Sequence, residues 1–160
     1  MVDNYKIEKL SKEEIEIVIN LSKDNLKFHD SCSNHKYLFS ENVLEQYKNY
    51  LVSIIDSEYN FNLAIKLNNK IIGYVFSKLI FKKPYESYNK IAEIDDAFVI
   101  EKYRRNGYGE KLMKYLFDLL KEENVEAIYL LVDSQNVIGK NAWQKYGFKQ
   151  YQEKLIKILI

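Results

Sequence analysis

At 160 residues the chain has the length of one compact domain, and 47% hydrophobic with 29% charged residues excludes disordered, collagen-like and coiled-coil builds. Lysine and arginine total 24 against 23 acidic residues, and the resulting +1 lacks the basic excess of a non-specific nucleic-acid binder. With one cysteine, Cys32, no internal disulfide can form; no signal peptide or membrane-length apolar run is evident, so a soluble cytoplasmic protein is expected.

Residues 5–10 are predicted as a short strand. Ser11 with Glu14 three residues later has the capping-box pattern of a helix start, and Ile15, Val18, Ile19 and Leu26 supply that helix's apolar side. A second helix is expected from near Ser40 to near Tyr59, with Val43, Tyr47, Tyr50, Leu51 and Ile54 on one face. Phe61, Leu63, Ile65 and Leu67 alternate with polar or small residues, as a strand with one face on a core does. Asn68 and Asn69 tolerate left-handed geometry, so a hairpin into a strand over 71–81 follows. Polar residues 82–90, with Pro84, read as a surface loop before a strand over 91–100. Leu112, Met113, Leu116, Phe117, Leu119 and Leu120 form a broad helical stripe; 127–132 is an apolar run suited to a strand covered on both faces. A helix over 137–146 is stopped by Gly147, and 148–159 should hold the last strand or pair of strands. This order implies an α/β single domain over 1–160, a mixed sheet with helices on both sides.

Arg104 and Arg105 are the only arginines, and Gly107 and Gly109 follow them among only five glycines. Between a strand and a helix, Arg104, Arg105, Asn106, Gly107, Tyr108 and Gly109 form a loop whose glycines let backbone N–H groups approach a ligand. The helix start adds unpaired donors and the positive end of its dipole, an arrangement suited to phosphate oxygens. Nucleotide-loop alternatives fail on spacing: no Lys-Ser or Lys-Thr pair follows, and Leu112 stands where a dinucleotide fingerprint needs glycine. His29 and His35 lack helical i, i+4 spacing around Cys32, so no metal site is expected.

From Ala92 to Phe148 the sequence resembles the GNAT superfamily of N-acetyltransferases. Arg104, Gly107 and Gly109 match its Arg/Gln-x-x-Gly-x-Gly/Ala signature, with Val99 and Tyr103 fitting the family upstream. Asn136 followed eleven residues later by Gly147-Phe148 fits downstream. The resemblance implies a mostly antiparallel sheet of six to seven strands with about four helices, its fourth and fifth strands splayed. It implies acetyl-CoA as acyl donor, with the N–H groups of Arg105, Asn106, Gly107, Tyr108, Gly109 and Glu110 holding the pyrophosphate. Backbone groups of Ala97, Phe98 and Val99 would pair with the pantetheine arm and polarise the thioester. Asn136 would contact that arm or cap the following helix.

Transfer to a primary amine, with pKa ~10.4, needs proton removal. Ala92-Glu93-Ile94 resembles the histone-acetylating branch, where a glutamate is the base; Asp95-Asp96-Ala97-Phe98-Val99 resembles the polyamine-acetylating branch, with paired acids. Glu93 or Asp95 is the expected base, directly or through water, and strand alternation predicts them on one face. Asp96, on the other, is a substrate or structural contact. The family's usual acid, a tyrosine seven residues after the asparagine, is here Trp143, expected to pack on the cofactor or the sheet. Tyr146 is the candidate replacement, though CoA thiol leaves readily as thiolate unaided. Tyr37, Tyr85 and Tyr88 are candidates for amine contact. The expected acceptor is a small cationic amine of polyamine or aminoglycoside type, with a protein amine or a non-catalytic acetyl-CoA sensor as alternatives. No nucleic-acid or membrane partner is expected, and a homodimer is compatible with the sequence.

Overall fold

Alternating apolar residues and tight turns build a sheet whose strands follow one another in space as in the chain. In the computed structural model, which describes residues 4–32, 42–81, 84, 87–155, 157 and 159, β1 (Tyr5–Lys9), β2 (Asn60–Leu67), β3 (Lys70–Ile80), β4 (Ile91–Val99) and β5 (Ala127–Leu130) lie in that order. The first three pairings are antiparallel; β4 and β5 pair in parallel. Asn68 and Asn69, with φ of 49° and 64°, make the predicted two-residue hairpin turn.

Helices α1 (Ile15–Cys32) and α2 (Val43–Ile54) cover one face, and α3 (Tyr108–Glu122) and α4 (Val137–Lys145) the other. A 3-10 turn precedes α1, where the Ser11 N–H donates to the Glu14 carboxylate at 3.1 Å, as the capping pattern predicts. Under α1 and α2, Val18, Leu51 and Ile55 meet Tyr74, Phe76 and Phe98. On the far side Ile65, Val75, Ala92 and Ile94 meet Leu112, Met113 and Leu116 of α3. Each fully buried leucine or isoleucine stabilises the fold by roughly 2 kcal/mol.

Among the described residues the sheet has five strands, where the resemblance implies six to seven. Residues 148–159 form no strand at any described position. Phe148 turns back instead: its N–H bonds the Trp143 carbonyl at 3.1 Å, and its ring packs on Phe117 and Trp143. β5 is therefore half-buried, not enclosed on both faces. Helix α2 stops at Ile54, short of Tyr59, because the Ser57 and Asn60 N–H groups bond the Ile54 and Ser57 carbonyls in a turn. Its expected start near Ser40 lies outside the described residues.

Alternation along β4 also fails at one step. The β3 register passes from Phe76↔Asp96 to Ser77↔Ile94, which makes Asp95 the extra residue of a bulge. Asp95 and Asp96 consequently both reach α2, correcting the expected separation of Asp96 onto the opposite face. The β4–β5 ladder ends at Ile94↔Leu130, directly before the bulge, and β4 runs on to Val99 paired only with β3. A bulge bends its strand, and the two parallel strands part there, as the resemblance implied.

Candidate functional site

The parting leaves one edge of β4 open. The Ile100 N–H donates to the Ile72 carbonyl at 2.9 Å, so alternation aims the backbone groups of Phe98 at β3 and those of Ala97 and Val99 at the open edge. Phe98 thus stands apart from its neighbours, its ring in the core under α1 and α2. Close approach of β3 here needs Gly73, where a Cβ would lie 2.7 Å from the Phe98 carbonyl oxygen.

Past β4 the chain makes a 3-10 turn, Glu101–Tyr103, and enters the arginine-glycine loop. Arg104 Nε donates to the Val99 carbonyl at 2.7 Å and its guanidinium lies 5.4 Å from the Phe98 ring centre, so this side chain ties the loop to the strand. Arg105 and Gly107 are left-handed, with φ of 63° and 79°, and the Asn106 amide closes the turn on the Arg104 carbonyl at 3.2 Å. Gly107 is the N-cap of α3 and supplies no side-chain acceptor; the Lys111 N–H makes the first helical bond to its carbonyl at 3.0 Å. The first-turn amides of Gly109 and Glu110 therefore have no acceptor within the helix. The buried Tyr108 ring, edge-on to Tyr5 and Tyr103, anchors this turn. Nothing lies within 4 Å of a Cβ placed on Gly107, so the helix start is open. Outward N–H groups at the positive end of a helix dipole fit a phosphate.

The three acids have unequal surroundings. Asp96 is half-buried and accepts from Asn25 Nδ2 at 2.7 Å and from the Tyr47 and Tyr74 hydroxyls at 2.8 and 3.0 Å. Burial raises its pKa, against the pull of those donors. Of the two roles considered for Asp96, this geometry supplies the structural contact, joining α1, α2, β3 and β4. Asp95 accepts from the Tyr50 hydroxyl at 3.0 Å and from Lys78 Nζ at 2.7 Å, while Glu93 Oε2 lies 3.9 Å from the same Nζ. The Asp95 and Glu93 side chains keep 21% and 29% of their surface exposed, so they are the acids an external molecule can reach. Tyr47 and Tyr50, one turn apart on α2 with stacked rings, hold the two aspartates. Sequence reasoning placed both tyrosines on the apolar stripe and missed the polar work of their hydroxyls. The signal was two hydroxyl-bearing rings at i, i+3 in that stripe.

Asn136 is buried and caps α4, its Oδ1 accepting the Gly139 N–H at 2.7 Å. Gly139 is required there, since a Cβ would lie 2.6 Å from Asn136 Nδ2. The Trp143 indole packs edge-on to Tyr146 and Phe148 against the sheet. The Tyr146 hydroxyl reaches the start of α3: a Cβ on Gly109 would sit 3.0 Å from it and 3.8 Å from Val99 Cγ2. Burial, with the charge of Glu110, keeps that hydroxyl protonated beyond the ordinary tyrosine range. Tyr85 and Tyr37 lie outside the described residues; Tyr88 is exposed.

Residues 23–148 match the model of the acetyltransferase (GNAT) family. Among solved structures, a GCN5-related N-acetyltransferase from Ralstonia eutropha has a TM-score of 0.79 at 14% identity, over 97% of this chain and 99% of the other. A predicted acetyltransferase from Clostridium acetobutylicum, solved with acetyl-CoA, has a TM-score of 0.77 at 18% identity over 96% of each chain. An aminoglycoside acetyltransferase from an uncultured soil metagenomic sample, solved with sisomicin, has a TM-score of 0.67 at 18% identity, over 98% of this chain and 95% of the other. At such identities the likeness is one of fold.

Proposed function

Because the chain belongs to the GNAT family of acetyl-CoA-dependent N-acetyltransferases, we propose that it transfers acetyl to the primary amine of a small cationic molecule. The observation that carries this reading is the pair of partly exposed carboxylates, Glu93 and Asp95, at the point where β4 leaves β5. The α3 amides, with those of Arg105 to Gly107, hold the donor's pyrophosphate. Ala97 offers its outward backbone groups and Val99 its N–H to the pantetheine arm, the Val99 carbonyl being held by Arg104, and an N–H there stabilises the oxyanion formed on the thioester carbonyl.

Asp95, whose oxygens already hold one ammonium and one hydroxyl, binds the acceptor's cation. Glu93, with Lys78 at 3.9 Å, has more freedom to take the proton from the attacking nitrogen. The amine lone pair forms the C–N bond, the C–S bond breaks, and CoA leaves as thiolate. Tyr146, kept protonated beside Gly109 and Val99, returns a proton to it.

Thiol release measured over a panel of amines tests this reading. Glu93→Gln should lower kcat about 100-fold and leave KM for acetyl-CoA unchanged, the scale of a lost general base. Asp95→Asn should raise KM for the amine and leave that of acetyl-CoA unchanged. Binding of acetyl-CoA with no thiol release from any small amine overturns the reading in favour of a protein acceptor or of a sensor, the latter consistent with Trp143 in place of the family's tyrosine.

A further inference from the structure

Lys78 lies on β3, opposite Glu93 in the ladder, and its ammonium already sits where the proposed acceptor's ammonium is to bind. It is 2.7 Å from Asp95 Oδ1 and 3.9 Å from Glu93 Oε2, with Tyr50 completing the shell on the other Asp95 oxygen. Burial disfavours this ammonium, but the Asp95 and Glu93 carboxylates outweigh it and raise the pKa, so the cation persists at neutral pH. With a side chain 34% exposed, Lys78 is neither locked in the core nor loose in solvent.

A lysine ammonium is chemically a primary alkylammonium. Resting on the proposed amine acceptor, we infer that Lys78 is a specificity-determining residue: an internal cation that occupies part of the acceptor's site and sets how much external positive charge the site accepts. Glu93 and Asp95 together with Lys78 leave one net negative charge facing solvent. Asp96 lies outside this ion-paired trio, its oxygens held by the neutral donors of Asn25, Tyr47 and Tyr74. One net negative charge suits an acceptor that presents a single ammonium at this point. A compact diamine or polyamine, carrying a second cation within a few ångströms of the first, meets Lys78 and is repelled.

The test is calorimetric binding of 1,4-diaminobutane and of butylamine to the CoA-loaded protein, comparing wild type with Lys78→Met and Lys78→Arg. Lys78→Met should raise the diamine-to-monoamine affinity ratio about fivefold, the scale of a partly screened ion pair. Lys78→Arg, which keeps the charge, should retain the wild-type ratio. Lys78→Gln, with a similar stem and no charge, repeats the measurement if the methionine variant folds poorly. An unchanged ratio in the neutral variants overturns the inference. Thiol release in the same samples keeps the two failures distinct: amine binding with the expected shift but no turnover counts against the acceptor reading and leaves Lys78 as the charge gauge of the site.

Discussion

A single methyl group tests the cap of α4. Gly139 donates its N–H to Asn136 Oδ1 at 2.7 Å, and a Cβ at 139 would sit within 2.6 Å of the same side chain. Gly139→Ala must therefore displace Asn136 and forfeit the cap, a loss of about 1–2 kcal/mol in urea unfolding. Asn136→Ala should cost about the same, and the double variant should cost little more than either single one, because both remove one interaction. Additive losses would show that Gly139 matters for some other reason. The sequence marked Asn136 with two readings, cofactor contact or cap; the side-chain oxygen is committed to the cap, and its amide nitrogen alone remains for other work.

At the level of elements, α3 begins in a way that leaves its first turn for something other than its own chain. Gly107 adopts φ of 79° in an open position, so Gly107→Ala meets no clash and pays only the left-handed penalty, about 1 kcal/mol of stability. If these amides hold the donor's pyrophosphate, calorimetry should show CoA affinity falling by about tenfold or more, since the new methyl sits at the mouth of the cradle. A loss of stability with unchanged CoA binding would move the phosphate site elsewhere. The start of α3 was legible in the sequence because glycine and arginine are scarce in the chain and coincide there. The bulge in β4 was not: Glu93, Ile94, Asp95 and Asp96 look like ordinary alternation, and only the β3 register reveals Asp95 as the extra residue. The lack of a strand among the described residues of 148–159 has the same origin. Residues 148–159 have strand-like composition, but Phe148 finds its contacts on α3 and α4, and composition carries no information about which surface a ring will choose.

For the molecule as a whole, Asp96 is the joint between four elements, and its titration should be visible in global stability. Its folded pKa lies above the ordinary 3.8, so the unfolded chain releases this proton first and stability falls as pH rises from about 3.8 through the folded value. Asp96→Asn removes that slope: in urea unfolding from about pH 4 to about pH 7, its stability relative to wild type should rise with pH and then level off. A difference independent of pH would mean that the native pKa is not raised, and one that rises through pH 7 without levelling that the folded carboxylate keeps its proton throughout. What the sequence determined by itself was local: the start of α3, the alternation of β2, the asparagine turn, and the place of the glycine-arginine loop between β4 and α3, all set by residues within a few positions of one another. Tertiary structure alone decided which acids reach solvent, which tyrosine holds which aspartate, and that Lys78 stands between Glu93 and Asp95. Those outcomes depend on strand register and on the placement of α1 and α2 over β4, which bring together residues up to 71 positions apart.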